Sequence, residues 1–419
     1  MTQPTQVFVN AAQVVTCAGP PRARRGRELG DAAVRAGVAV ATREGRITAI
    51  GDGDAVRRTH PEAEVIDCQG GVLMPGLVDS HTHAIFGKPR YEEQEMRAAG
   101  KDYMAIAAAG GGIHSSVRDL RTRTEDDLVA LALPRLARLA AHGTTTVEVK
   151  SGYGLTLDDE LKTLRAIRRL TTLQPMRLVP TFLGAHEIPM EARATPSGRR
   201  DYVDLVVNQM IPRVRDERLA AFADVFCEPG VFTVEESREI LVAARAAGLG
   251  LKLHADELKP AGGAELAVEL AATSADHLAA ISDGGIAALA AAPTVATLLP
   301  GTMLFLGKER QAPARRLVEA GAAIALATDF NPGTSPTPNF PLVLSLGVSS
   351  LRLSVAEAIV ASTVNGAAAL GLAAETGQLD IGFSADLALF DVEDIREIPY
   401  WYGDRRCRRS WVRGVEVAA

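Results

Sequence analysis

Between Pro75 and Leu372 short apolar runs alternate with amphipathic stretches eight times, and all but one of the runs carry, at or near the end, a residue able to do chemistry. The runs are Leu77–Ile85, Thr144–Lys150, Arg177–His186, Ala223–Glu228, Gly250–Glu257, Ser274–Leu278, Thr294–Pro300 and Ala322–Asp329. Strand and helix in strict alternation is the pattern of a parallel sheet with crossover helices. Eight such units predict a closed (β/α)8 barrel of TIM type, whose reactive groups gather at the C-terminal ends of its strands. His81, His83, Lys150, His186, Glu228, His254, His277 and Asp329 all fall at those ends. The intervening helices are punctuated: Thr233-Val234-Glu235-Glu236 reads as a capping box, Ile240, Leu241 and Ala244 as the apolar face, and Gly248 as the stop.

The ends of the chain have a different texture. Val7–Asn10, Val38–Thr42 and Arg46–Ile50 before the barrel, and Gly377–Asp380, Asp386–Phe390 and Trp411–Val415 after it, read as short strands. Short flanking strands cannot bury a core separately, so a composite, sandwich-like β-domain over 1–74 and 376–419 is expected beside a barrel over 75–375. The 419 residues, 47% hydrophobic and 23% charged, suit such a globular protein, and no segment reaches membrane-spanning length. A net charge of −6 argues against a nucleic-acid or anionic-membrane surface, and the one dense basic run, Arg405, Arg406, Arg408 and Arg409, reads as a solvated face. Cys17, Cys68, Cys227 and Cys407 are too scattered for a disulfide framework or a zinc knuckle. The first ten residues lack a signal-peptide pattern, so a cytoplasmic protein is expected.

His81 and His83 stand two residues apart, which sends both imidazoles to one side of a strand and makes half a metal site. With His254 and Asp329 from the fifth and eighth strands, three imidazoles and a carboxylate can converge on one divalent ion, zinc or iron. A second ion bridged by a modified lysine would need Lys at the end of the fourth strand, where Phe226-Cys227-Glu228 stands. Arg90, seven positions after His83, can offer a two-pronged guanidinium to a carboxylate. Plainer readings exist for several residues: Arg90 as a surface cation, Tyr153 as packing, His186 and His277 as satisfied core histidines, and Asn331-Pro332-Gly333-Thr334 as a tight loop. Lys150 reads equally as an ion-pair partner, Cys227 as core, Gly110–Gly112 as a flap at the mouth, and His60, His114 and His142 as solvated.

This constellation resembles the amidohydrolase superfamily in the order of its motifs from Pro75 to Leu372 and in its flanking strands. Finer stretches carry the likeness further: His81-Thr82-His83 with Arg90, Val147–Gly154, Phe182–His186, His254-Ala255-Asp256-Glu257 and Asp329–Thr334 resemble the members that open an imidazolone ring. The resemblance implies metal ligation by His81, His83, His254 and Asp329, and substrate contacts from Arg90, Tyr153, His186, Glu257, Asn331, Gly333 and Thr334. It implies hydrolysis of the small molecule 4-imidazolone-5-propanoate to N-formimidoyl-L-glutamate, in histidine degradation, by a homodimer. For that reaction Asp329 or His277 would move the proton, His186 or His277 would help hold the oxyanion, and Glu257 would hold a ring N–H. A purine or pyrimidine base deaminase would use the same metal, His277 and Glu257, but would offer Arg90 no carboxylate. A non-catalytic scaffold would have lost ligands, and none is missing.

Overall fold

The computed structural model describes residues 5–101, 106 and 110–417. Its centre is a ring of eight parallel strands in sequence order: β1 Leu77–Asp79, β2 Thr144–Lys150, β3 Arg177–Ala185, β4 Phe222–Cys227, β5 Gly250–Ala255, β6 Ser274–His277, β7 Val295–Leu298 and β8 Ile324–Leu326. Beyond the regular ladder, the ring closes where the Asp329 N–H donates to His81 O (3.0 Å) and the His83 N–H to Phe330 O (2.9 Å). Helices run between the strands, as expected of a (β/α)8 barrel. In the helix Val234–Ala246, Thr233 and Glu236 form the expected reciprocal cap, Ile240, Leu241 and Ala244 are buried, and the helix stops short of Gly248.

Three expectations about strands need correction. The first barrel strand ends at Asp79, not Ile85, because the backbone of His81 and His83 is drawn sideways to bond residues 329 and 330. Trp411–Val415 is not one strand but the bend of a hairpin between Cys407–Val412 and Val415–Val417. Arg413 and Gly414 both have positive φ (50° and 72°), the two-residue turn that matches strand twist. Gly377–Asp380 forms no strand.

The flanking strands build two further sheets. One has the order Arg46–Asp52, Val38–Arg43, Gln6–Val9, Glu64–Asp67. The other runs Val415–Val417, Cys407–Val412, Leu387–Phe390, Val72–Pro75, Gln13–Val15, Val34–Arg35, so strands from both ends of the chain share it. Leu387–Phe390 pairs antiparallel with Val72–Pro75, the segment that leads through Gly76 into β1. Phe8, Val40, Ile47, Leu73, Leu387, Leu389 and Trp411 pack as one apolar cluster, with Phe8 and Trp411 edge to face at 4.9 Å. All four cysteines are buried and free. Among the described residues no helix is long and apolar enough to cross a membrane.

Candidate active site

The barrel brings the separated ligand candidates to one point. His83 Nε2 lies 3.4 Å from His254 Nε2, and Asp329 Oδ1 lies 3.7 Å from His81 Nε2 and 3.6 Å from His83 Nε2. His81 Nε2 is buried and has no hydrogen-bond partner among the described residues. Two imidazole nitrogens face to face and an orphaned third, in a buried site, turn toward one point lone pairs that a shared cation would satisfy. Burial holds His81, His83 and His277 well below the ordinary imidazole range, and brings His186 down to about 3, so these rings are neutral. Neutral imidazoles with one carboxylate are a donor set that fits a divalent metal. His186 and His277 also approach this cluster, each forming a compact trio with His254.

Under the cluster lies a layer of buried charge. His81 Nδ1 donates to Asp276 Oδ2 (2.7 Å), and His254 Nδ1 lies 3.0 Å from Asp224 Oδ2. Each carboxylate fixes its ring so that Nε2 turns to the ligand position. The Lys150 ammonium bonds Asp224 (2.7 Å) and sits 2.8 Å from Glu148, which in turn accepts the Thr181 hydroxyl (2.6 Å). Lys252 donates to Ser80 O (2.9 Å) and lies 3.7 Å from Asp276. Desolvation works against the Lys150 charge, but Asp224, Glu148 and Asp276 outweigh it and raise its pKa. Lys150 is therefore an ion-pair residue of the barrel interior.

The remaining candidates line the mouth. Asp329 and His277 both hold left-handed backbone (φ 51° and 78°), a strained conformation for residues with a β-carbon. Burial lifts the Asp329 carboxyl to about 6 although Oδ2 accepts the Thr302 hydroxyl (2.5 Å). Glu257 is pushed up to about 8, by burial first and then by the charges of Asp329 and Glu228, and its Oε2 lies 3.7 Å from His277 Nδ1. The His186 ring stacks on His83 at 4.9 Å and bonds Gly152 O (3.0 Å). Gly152 has φ +109°, and a β-carbon there would meet His186 Nδ1 at 2.9 Å, so only glycine lets this turn close. Glu160 accepts the N–H groups of Gly152, Gly154 and Leu155, holding Tyr153 between them with its ring 5.4 Å from His186.

Arg90 stands at the entry to the helix Tyr91–Ala98, its N–H bonded to Pro332 O (3.1 Å) and its guanidinium lying over Gly333. The Asn331 amide is spent on its own turn: it donates to Asp329 O (2.7 Å) and accepts from the N–H groups of Gly333 (2.8 Å) and Thr334 (2.7 Å). Glu228 accepts the N–H groups of Glu257, Leu258 and Lys259, so it braces the loop that carries Glu257. His114 and His142, expected in solvent, are half-buried because each packs one ring nitrogen into the protein. Gly112 bonds the buried Glu93 carboxylate (2.7 Å).

Sequence reasoning passed over Asp224, Asp276, Glu148 and Lys252. Strand parity was the available signal: Lys252 and His254, or Glu148 and Lys150, are two residues apart and so must face the barrel interior together.

Residues 88–418 match the family model described as Amidohydrolase family. The imidazolonepropionase of Symbiobacterium thermophilum is 50% identical over 95% of this chain and 93% of its own length. That of Bacillus velezensis is 44% identical over 99% and 97%. Among solved structures, a zinc-bound adenosine deaminase from Xanthomonas campestris superposes with a TM-score of 0.71 at 18% identity, covering 98% of this chain and 92% of that one. Ochratoxinase from A. niger reaches 0.72 at 17%, covering 99% and 96%. At those identities the likeness is one of fold.

Proposed function

This chain belongs to the amidohydrolase family, in its imidazolonepropionase branch, and from that premise we propose how its residues open the cyclic amide of 4-imidazolone-5-propanoate with water to give N-formimidoyl-L-glutamate. The enzyme is a hydrolase of histidine degradation. The observation that carries the residue assignment is the convergence of His81, His83, His254 and Asp329 at one end of the barrel, with Arg90 held across the adjoining turn.

His81, His83, His254 and Asp329 would hold one divalent ion, zinc or iron. When bound, such an ion polarises the substrate carbonyl and makes water acidic enough to attack near neutral pH. Asp329 accepts the proton of the attacking water and passes it to the departing ring nitrogen. His277, backed by Glu257, donates to the oxygen that gains charge as the carbonyl becomes tetrahedral, while His186, whose one N–H is spent on Gly152 O, turns an Nε2 lone pair toward the substrate. Glu257 also accepts the ring N–H. Arg90 takes the propanoate carboxylate in a two-pronged grip, with Tyr153, Asn331, Gly333 and Thr334 shaping the wall around it. A neutral base would leave that guanidinium unused, which weighs against the deaminase reading.

The same proposal includes a composite β-unit over 1–74 and 376–419 beside the barrel, a homodimer, and a cytoplasmic location, which four free thiols suit. Light scattering of the purified protein checks the dimer. Loss of imidazolone absorbance on adding substrate, followed alongside elemental analysis, tests the mechanism. Full activity in protein containing no metal would overturn it.

A further inference from the structure

Arg90, Glu93 and Arg97 fall at i, i+3 and i+7 along one face of the helix Tyr91–Ala98. Glu93 is 5% exposed, a rare burial for a carboxylate unless it is partnered. Its Oε1 lies 3.6 Å from Arg90 Nε and accepts the Gly112 N–H (2.7 Å). Its Oε2 accepts from Arg97 Nη2 (3.2 Å), and Arg97 Nη1 donates to Gly333 O (3.3 Å). Arg90 lies over the same glycine so closely that a β-carbon there would sit 1.3 Å from Nη2. One buried carboxylate thus touches both guanidiniums, and one turn of the site touches them from the other side.

Glu93 meets Arg90 at Nε, the flank of the guanidinium, as a charge contact longer than a hydrogen bond. Among the described residues nothing accepts a hydrogen bond from Nη1 or Nη2 of Arg90. Two guanidiniums and one carboxylate leave this corner with a single positive charge, the complement of a monocarboxylate arm. We propose that Glu93 is a positioning residue for substrate recognition: it holds the Nε flank of Arg90 so that the Nη fork faces the substrate's carboxylate. This rests on Arg90 being the carboxylate anchor.

The test places Glu93→Gln in the natural background and in Arg90→Met, with kcat and KM measured on 4-imidazolone-5-propanoate. Glutamine keeps an acceptor for the Gly112 N–H and removes the charge. In the natural background KM rises about tenfold, as loss of one charged contact of roughly 1.4 kcal/mol requires, while kcat and metal content stay within about twofold. In Arg90→Met the added substitution changes KM no further. Glu93→Asp, which keeps the charge but shortens the reach, falls between, and supports the same conclusion should the glutamine variant fold poorly. A fall in KM, or an equal effect in both backgrounds, overturns the role of Glu93 while leaving Arg90 as anchor. An unchanged KM in Arg90→Met alone overturns the anchor, and the role of Glu93 with it.

Discussion

Between the terminal sheets Phe8, Val40, Leu73, Leu389 and Trp411 fill the interior with apolar surface, whereas inside the barrel Glu148, Lys150, Asp224, Lys252 and Asp276 are just as fully shut off from water. The first interior is held by the hydrophobic effect, about 25 cal/mol for each Å² removed from water. The second gains little net stability, because stripping water from charges costs about what their pairing returns. Charges kept in so unfavourable a place need another reason. Here Asp276 and Asp224 set the tautomer and aim of His81 and His254, and Lys150 ties these carboxylates into one network. Depth of burial alone does not tell a stabilising core from a positioning one.

The largest expected effect separates the two regions outright. Removing metal by chelation should abolish hydrolysis while far-ultraviolet circular dichroism stays nearly unchanged, since neither the apolar barrel strands nor the sheets rest on the ion. Collapse of the spectrum would show that the site also holds the fold. Asp329→Asn should keep metal, through its amide oxygen, yet lose about 10²–10⁴-fold in kcat, because an amide accepts no proton. Near-normal turnover at full occupancy would move the proton to His277.

Next come paired substitutions of similar energetic cost. Lys150→Met strands buried carboxylates and should cost about 3–5 kcal/mol in urea unfolding. Phe8→Ala should cost about 3–5 kcal/mol through the cavity it leaves. Only the first should also lower bound metal in the protein that remains folded. Equal metal loss in both would join the two interiors energetically. Arg90→Lys should lower kcat/KM by about 1.5–3 kcal/mol, roughly tenfold to over a hundredfold, without a stability change, because lysine cannot copy the fork. If a ring lacking the propanoate suffers equally, Arg90 is structural. The smallest effect belongs to an exposed charge pair on the terminal sheet: Glu416→Gln, losing the 2.7 and 2.6 Å contacts to Arg409, should shift stability by about 0–1 kcal/mol, within reach of differential scanning calorimetry.

Much of this was written in the order of residues. Eight apolar runs separated by capped amphipathic helices permit few architectures besides the barrel, and period-two geometry makes His81 and His83 neighbours whatever surrounds them. The motif order likewise pointed to His254 and Asp329. Long-range geometry was needed where one residue's role depends on a partner far along the chain. Lys150 is 74 residues from Asp224, and His81 is 195 from Asp276, so neither pairing leaves a local trace. Tertiary hydrogen bonding also ended the first strand at Asp79, where propensity alone would continue it, and spent the Asn331 amide on its own turn. Local sequence sets backbone periods and turn chemistry, which act over a few residues. Which buried charge meets which is decided only when the barrel closes, because desolvation makes an unpaired charge there too costly to keep.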